Sequence, residues 1–188
     1  MEKLTTPLLL ILTLFLFSAT SAWSADWIKG LDAYLKGDYA TALREWEPLA
    51  KQGYVPAQIL LGEMYEDGEG VPQDYSTAVK WYSLAAEQGD ADAQYNLGWM
   101  YENGEGVPQD YSTAVKWYSL AAEQGLDHVQ NNLGLMYFLG TGVIQDNVYA
   151  HMWLNIAASH GYDDAAENRD IVARCTRPRR ARSRSNGR

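Results

Sequence analysis

The sequence predicts an all-α protein, an α/α superhelical solenoid of stacked antiparallel helix pairs. Three observations predict it. The string GEGVPQDYSTAVKWYSLAAEQG occurs at residues 68–89 and again at 104–125, an offset of 36 residues. A fixed period of this size marks a stacked array rather than one closed core. A weaker third copy keeps Gly140, Gly142, Val143, Asp146, Ala150, Trp153, Ala157, Ala158 and Gly161 in the same register. Within each copy, apolar residues recur at three- and four-residue spacing between glycine and proline punctuation, the pattern of short amphipathic helices.

The elements follow in chain order. Residues 1–22 read as a secretory signal peptide: Glu2 and Lys3 precede an apolar run from Leu8 to Phe17, and the small residues Ser18, Ala19, Ser21 and Ala22 follow. Cleavage is expected after Ala22 or at any bond up to residue 25, giving an exported protein, periplasmic or secreted. The run is shorter than the roughly 20 residues that span a bilayer, so no stable membrane anchor is expected. The solenoid covers 26–170. A divergent helix pair occupies 26–54, with Lys36-Gly37-Asp38 as its turn. Full units follow at 57–92, 93–128 and 129–164, and a short closing helix starts at 165.

In the first full unit, Ala57, Leu60, Leu61, Met64 and Tyr65 mark one helix face. Gly68-Glu69-Gly70 ends the helix and Val71-Pro72 extends the chain. Asp74 stands at the N-cap of a second helix, which buries Ala78, Val79, Tyr82, Ala85 and Ala86 and closes at Gly89. Small residues at Gly62, Ala78, Ala85 and Ala86, repeated in both later units, let the two helices approach closely. Trp81 and Tyr82 fill the space that remains.

Charge divides the chain. All 24 acidic residues lie at or before Asp170, against eight of the 15 Lys and Arg, a net charge of −16 for that span. Such a field disfavours a nucleic-acid partner for the body. Residues 171–188 read as a disordered tail carrying Arg174, Arg177, Arg179, Arg180, Arg182, Arg184 and Arg188, suited to touch anionic surfaces. A frameshifted or abnormal end is the first account of such a tail, and contact with an anionic surface the second. The lone Cys175 excludes an intrachain disulfide framework.

No catalytic constellation emerges. Asp74, Asp110 and Asp146 precede helices in one register and read as caps, and the acidic loops lack the alternating oxygen ligands of an EF-hand. His128, His151 and His160 have no counterparts in the other units. No catalytic residue, metal site or cofactor is therefore expected.

The run Leu61-Gly62-x-x-Tyr65-x-x-Gly68-x-Gly70-Val71-x-x-Asp74-x-x-x-Ala78-x-x-Trp81-Tyr82-x-x-Ala85-Ala86-x-x-Gly89 resembles the Sel-1-like repeat, a relative of the tetratricopeptide repeat. The resemblance implies an α/α superhelix and a non-catalytic adaptor or scaffold role, with a protein or peptide partner in a concave groove. One exported branch of the family, linked to penicillin binding and β-lactam hydrolysis, implies an alternative: an enzyme or binder directed at cell-wall material or β-lactams. That branch carries a cysteine pair in each repeat, and this chain does not.

The first two units differ at seven of 36 positions: Ile59/Tyr95, Leu60/Asn96, Glu63/Trp99, Asp67/Asn103, Asp90/Leu126, Ala91/Asp127 and Asp92/His128. By the resemblance, several of these columns line the concave face. The expected groove residues are Glu63, Tyr95, Trp99, Asn103, Asn131, Leu135, Phe138 and Leu139, rimmed by Glu66, Asp67 and Glu102. Clustered exposed aromatics suit a binding surface, although drift after duplication would pick the same columns.

Overall fold

A computed structural model describes residues 25–176. The expected signal peptide at 1–22 lies outside the described residues, as do tail residues 177–188. All regular structure among the described residues is helical, with no strand. α1 runs over 25–35. α2 (Tyr39–Lys51), α3 (Val55–Asp67), α4 (Tyr75–Glu87), α5 (Ala91–Asn103), α6 (Tyr111–Glu123), α7 (Asp127–Leu139), α8 (Asn147–Ser159) and α9 (Asp163–Thr176) follow. Each helix packs on its sequence neighbour, as in α3 with α4, α5 with α6 and α7 with α8, and α9 also touches α7. These are hairpins stacked in order, so the core is a continuous seam rather than a centre.

Seven of these helices, α2 to α8, have 13 residues each, and local chemistry sets where they start. The carboxylates of Asp74, Asp110 and Asp146 accept from the backbone amides two and three residues on, capping α4, α6 and α8. Gly68 closes α3 at φ +74°, a left-handed geometry reached at little cost only without a Cβ. In the loop that follows, Gln73 Nε2 donates to Glu66 O at 2.7 Å, so a side chain satisfies a carbonyl at the helix end. Gln109 and Gln145 repeat the bond on Glu102 O and Phe138 O. The helix pairs begin two residues before the units read from sequence, because the cap precedes the first conserved alanine: Asp90 caps α5 by accepting from Ala93 N.

Packing within a pair is ring against glycine. A Cβ on Gly98 would stand 2.7 Å from the Tyr118 ring, and one on Gly62 would stand 2.4 Å from the Tyr82 ring. Tyr82 and Tyr118 are both buried, as are the alanines that flank them. Packing between units adds a polar ladder. Gln58, Gln94 and Gln130 are buried, and their Nε2 atoms donate to Ala50 O, Ala86 O and Ala122 O. Gln88 and Gln124 donate in turn to Gln58 Oε1 and Gln94 Oε1. In the third unit His160 holds that column, and Gln130 Oε1 is buried without a partner.

Two expectations are corrected. The closing helix is not short and does not yield to tail at 171. It runs from Asp163 to Thr176 because Ala165 and Val172, seven residues apart on one face, are both buried against α7 and α8. Residues 171–176 therefore belong to the fold. The repeated column Trp81/Trp117/Trp153 is half-buried rather than buried, and each ring packs on the flank of a core cluster.

Candidate functional site

α5 and α7 are first helices of successive units, and a concave cavity of about 380 Å³ opens between them. Its walls are Tyr95, Trp99, Glu102 and Asn103 from α5 and Asn132, Leu135, Met136 and Leu139 from α7, with Tyr118 of α6 and Thr141 of the following loop. Five of the residues expected from sequence meet there: Tyr95, Trp99, Asn103, Leu135 and Leu139.

Helical spacing explains the α5 wall. Tyr95, Trp99 and Asn103 are four residues apart and share a stripe. Asn103 Nδ2 donates to Trp99 O at 2.9 Å, which fixes the end of that stripe. Tyr95 stacks on Tyr118 with ring centroids 5.8 Å apart and meets His128 edge-on at 4.8 Å. Trp99 is half-buried and packs against two core clusters, one shared by α4 and α5 and one shared by α6 and α7, so it is both a wall of the cavity and a joint between units. On the other side Leu139 is 69% exposed.

Three expected residues do not line the cavity. Asn131 is 6% exposed and accepts from Asn168 Nδ2 at 2.9 Å. α9, the first helix of what would be a fourth unit, covers that column. Phe138 turns to the other side and packs on the core cluster of Ala150 and Leu154. Glu63 sits half-buried one unit earlier, in the column of Trp99. Two of the acids expected at the rim, Glu66 and Glu102, have partners of their own. The Tyr82 hydroxyl donates to Glu66 Oε2 and the Tyr118 hydroxyl to Glu102 Oε2, both at 2.6 Å. Sequence reasoning missed Tyr118, Asn132, Met136 and Thr141. The signal for Tyr118 was available: its partner Glu102 becomes Phe138 in the unit where Tyr118 becomes Leu154.

The electrostatics are one-sided. Burial, then the charges of Glu66, Asp67, Asp92 and Glu69, push the Glu63 carboxyl above the usual carboxylate range. Burial raises Glu66 as well, against the hydrogen bond from Tyr82. An acid that holds its proton more tightly when folded stabilises the fold as pH falls toward its unfolded value near 4.5, and that contribution is lost as pH rises. The caps Asp74 and Asp110 are held low by Thr77 and Thr113 and act oppositely, below about pH 4. Thermal stability is thus expected to rise as pH drops from 7 to about 5 and to fall in stronger acid. Glu63→Gln is expected to raise the melting temperature by about 2 °C at pH 7 and to flatten that rise. A pH series of melting curves checks both, and an unchanged slope in the variant contradicts the assignment.

Among the described residues no group of three or more His, Cys, Asp or Glu is placed to hold a metal ion. No helix among them is long and apolar enough to cross a membrane. Cys175 is free and exposed.

Comparison with known proteins gives the architecture a lineage. A search of curated proteins finds no match. Among solved structures, the chain is similar to a protective antigen of uropathogenic Escherichia coli strains that displays an SLR fold. Identity there is 43% over 79% of this chain and 33% of that one, with a TM-score of 0.72. It is also similar to a Sel1 repeat protein from Oxalobacter formigenes, at 35% identity over 77% of this chain and 59% of that one, TM-score 0.72. Cysteine rich protein B of Helicobacter pylori matches at 27% identity over 64% of this chain and 92% of that one, TM-score 0.52. The chain spans about a third and about three fifths of the first two relatives. The Sel1 repeat matches three times, at residues 55–90, 91–126 and 128–162. Those matches cover more than half of the sequence and each coincides with one helix pair, so the chain belongs to the Sel1 repeat family.

Proposed function

We propose that this chain is a non-catalytic adaptor that holds a protein or peptide partner in the concave cavity between α5 and α7. Sel1 repeat proteins are generally scaffolds for protein–protein interaction, and generally non-catalytic ones. The observation that carries the reading is where two near-identical units differ. Tyr95, Trp99 and Asn103 replace Ile59, Glu63 and Asp67, and all three replacements line one cavity. Large aromatics in a partly enclosed site with a few convergent polar groups are the usual anchors of recognition.

A displayed random-peptide library screened against the full chain tests the reading. Enriched peptides are expected to bind a Leu139→Ser variant about tenfold more weakly by calorimetry, a loss of about 1.4 kcal/mol, with an unchanged melting temperature because Leu139 is exposed. Trp99→Ala is expected to lose more affinity and some stability, since its ring also joins two clusters. Enriched peptides that bind both variants as well as the parent place recognition elsewhere.

Export through a cleaved signal peptide, to the periplasm or beyond the cell, belongs to the same proposal. It is supported by the apolar run and the small residues before Ala22. Mass spectrometry of the native protein is expected to find a new N-terminus between residues 23 and 26. Retained Met1 on a cytosolic species contradicts it.

A further inference from the structure

The cavity has an acidic approach, and none of its carboxylates is ion-paired to a Lys or Arg among the described residues. α3 ends in Glu63, Glu66 and Asp67, the loop after it carries Glu69, and the next unit adds Glu102 at the end of α5 and Glu105 in its loop. α3 and α5 run in the same direction, so these acids share the edge of the array on which Asn103 and Leu139 stand. Their hydrogen-bond partners are neutral. Tyr34 and Tyr39 donate to Glu69, Tyr82 donates to Glu66 and Tyr118 donates to Glu102. Glu105 Oε2 is shut off from solvent with no donor. The Lys and Arg ion pairs among the described residues lie elsewhere: Lys29 and Arg44 on Glu45, Lys36 on Asp32, Lys51 on Glu47 and Arg169 on Asp170. Nearer the cavity, the His128 ring, which meets Tyr95, lies 3.7 Å from Asp127. The field reaches the cavity wall, where burial and then the charges of Glu102 and Glu66 raise the Tyr95 phenol.

We infer that the occupant is a linear basic peptide, with an arginine or lysine against the acidic edge and a neighbouring apolar side chain in the cavity between Trp99 and Leu135. The inference rests on the groove reading above and adds the chemistry of the partner. Three arguments carry it. Half-buried carboxylates crowded by like charge gain from an incoming cation, whereas an acidic partner adds repulsion and desolvation. The half-buried Trp99 ring, on the cavity wall, offers a cation a second attraction beside the first. A volume of about 380 Å³, open to solvent and walled by Leu135, Met136 and Leu139, accepts one large apolar side chain rather than a folded domain.

The test uses the full chain and three labelled dodecapeptides that alternate leucine with arginine, serine or glutamate, read by fluorescence anisotropy. The arginine peptide is expected to bind at least tenfold tighter than the serine peptide, and the glutamate peptide not at all. The preference is expected to shrink about tenfold between 50 and 500 mM salt. Glu63→Gln with Asp67→Asn is expected to weaken the arginine peptide about tenfold and leave the serine peptide unchanged, whereas Leu139→Ser weakens both. Glu87→Gln with Glu123→Gln, exposed acids at the ends of α4 and α6, serves as the control for bulk charge. An equal loss in that control overturns the inference. Serine or glutamate peptides binding as tightly as the arginine peptide also overturn it, and leave the groove reading standing. Binding of none of the three overturns both. A concentration-dependent dimer that Leu139→Ser dissolves makes a second copy the occupant and overturns the basic peptide.

Discussion

Gly106→Ala is expected to cost about 3 kcal/mol and to uncouple the first two full units, although it adds one methyl group at a solvent-facing loop. Two effects add. Gly106 has φ +72°, in the left-handed region where a Cβ costs about 1–2 kcal/mol. That Cβ would also lie 2.4 Å from the backbone carbon and oxygen of Tyr75, the first residue of α4. Backbone at a helix start cannot turn aside as a flexible side chain does, so the loop must lift, and overpacking of this kind costs about 1–3 kcal/mol. Lifting also breaks the bond from Ser76 Oγ to Gly106 O. The same seat recurs where Gly70 meets Tyr39 and Gly142 meets Tyr111, so the contact is how each loop docks on the unit before it. Gly125→Ala is the control. Its φ is +99° with nothing within 4 Å of the added carbon, so only the conformational cost of about 1–2 kcal/mol applies. Equal losses from chemical denaturation of the two variants contradict the docking role.

Much of this architecture was legible in the sequence because repetition turns one local rule into three independent readings. The aspartate caps, the left-handed glycines and the buried face of α4 follow from spacing alone, and the structure buries Ala78, Val79, Tyr82, Ala85 and Ala86 together. The site was legible only in part. Comparing units singles out the columns that changed, but it cannot say what lies across from them. Asn131 shares a column with Tyr95, yet α9 covers it, and α9 was read as too short to do so. Glu63 in the column of Trp99 suggests a solvent position, whereas both residues are half-buried because neighbouring units overhang the column. The glutamine ladder was missed because a polar residue on an apolar face looks like an interruption until its carbonyl partner is known.

The pairing of Tyr118 with Glu102 was missed for the same reason, and it supports a second large effect. Tyr118→Leu is expected to cost about 3 kcal/mol. The buried ring leaves a hole, and Glu102 loses a charge-assisted hydrogen bond of 2.6 Å. Glu102→Phe alone is expected to cost about 2 kcal/mol, because the Tyr118 hydroxyl then stands buried without an acceptor. The third unit carries both changes at once. Leu154 occupies the column of Tyr118 and is fully buried, and Phe138 occupies the column of Glu102 and packs on the cluster that contains Leu154. An aromatic and an aliphatic side chain there replace a hydroxyl and a carboxylate without leaving either polar group alone. The double variant Glu102→Phe with Tyr118→Leu is therefore expected to lose about 2 kcal/mol rather than the sum of about 5, a coupling of about 3 kcal/mol. The residual loss comes from Tyr95, which stacks on Tyr118 and keeps no equivalent ring once it is gone. Denaturant titration of the four proteins gives the cycle, and additive losses contradict the exchange of a polar pair for an apolar one. Because Tyr118 and Glu102 both line the cavity, the same double variant also changes the site: it removes one acid from the edge and one hydroxyl from the wall. A folded double variant therefore tests recognition as well as stability, since its cavity lacks the carboxylate that the parent's wall carries.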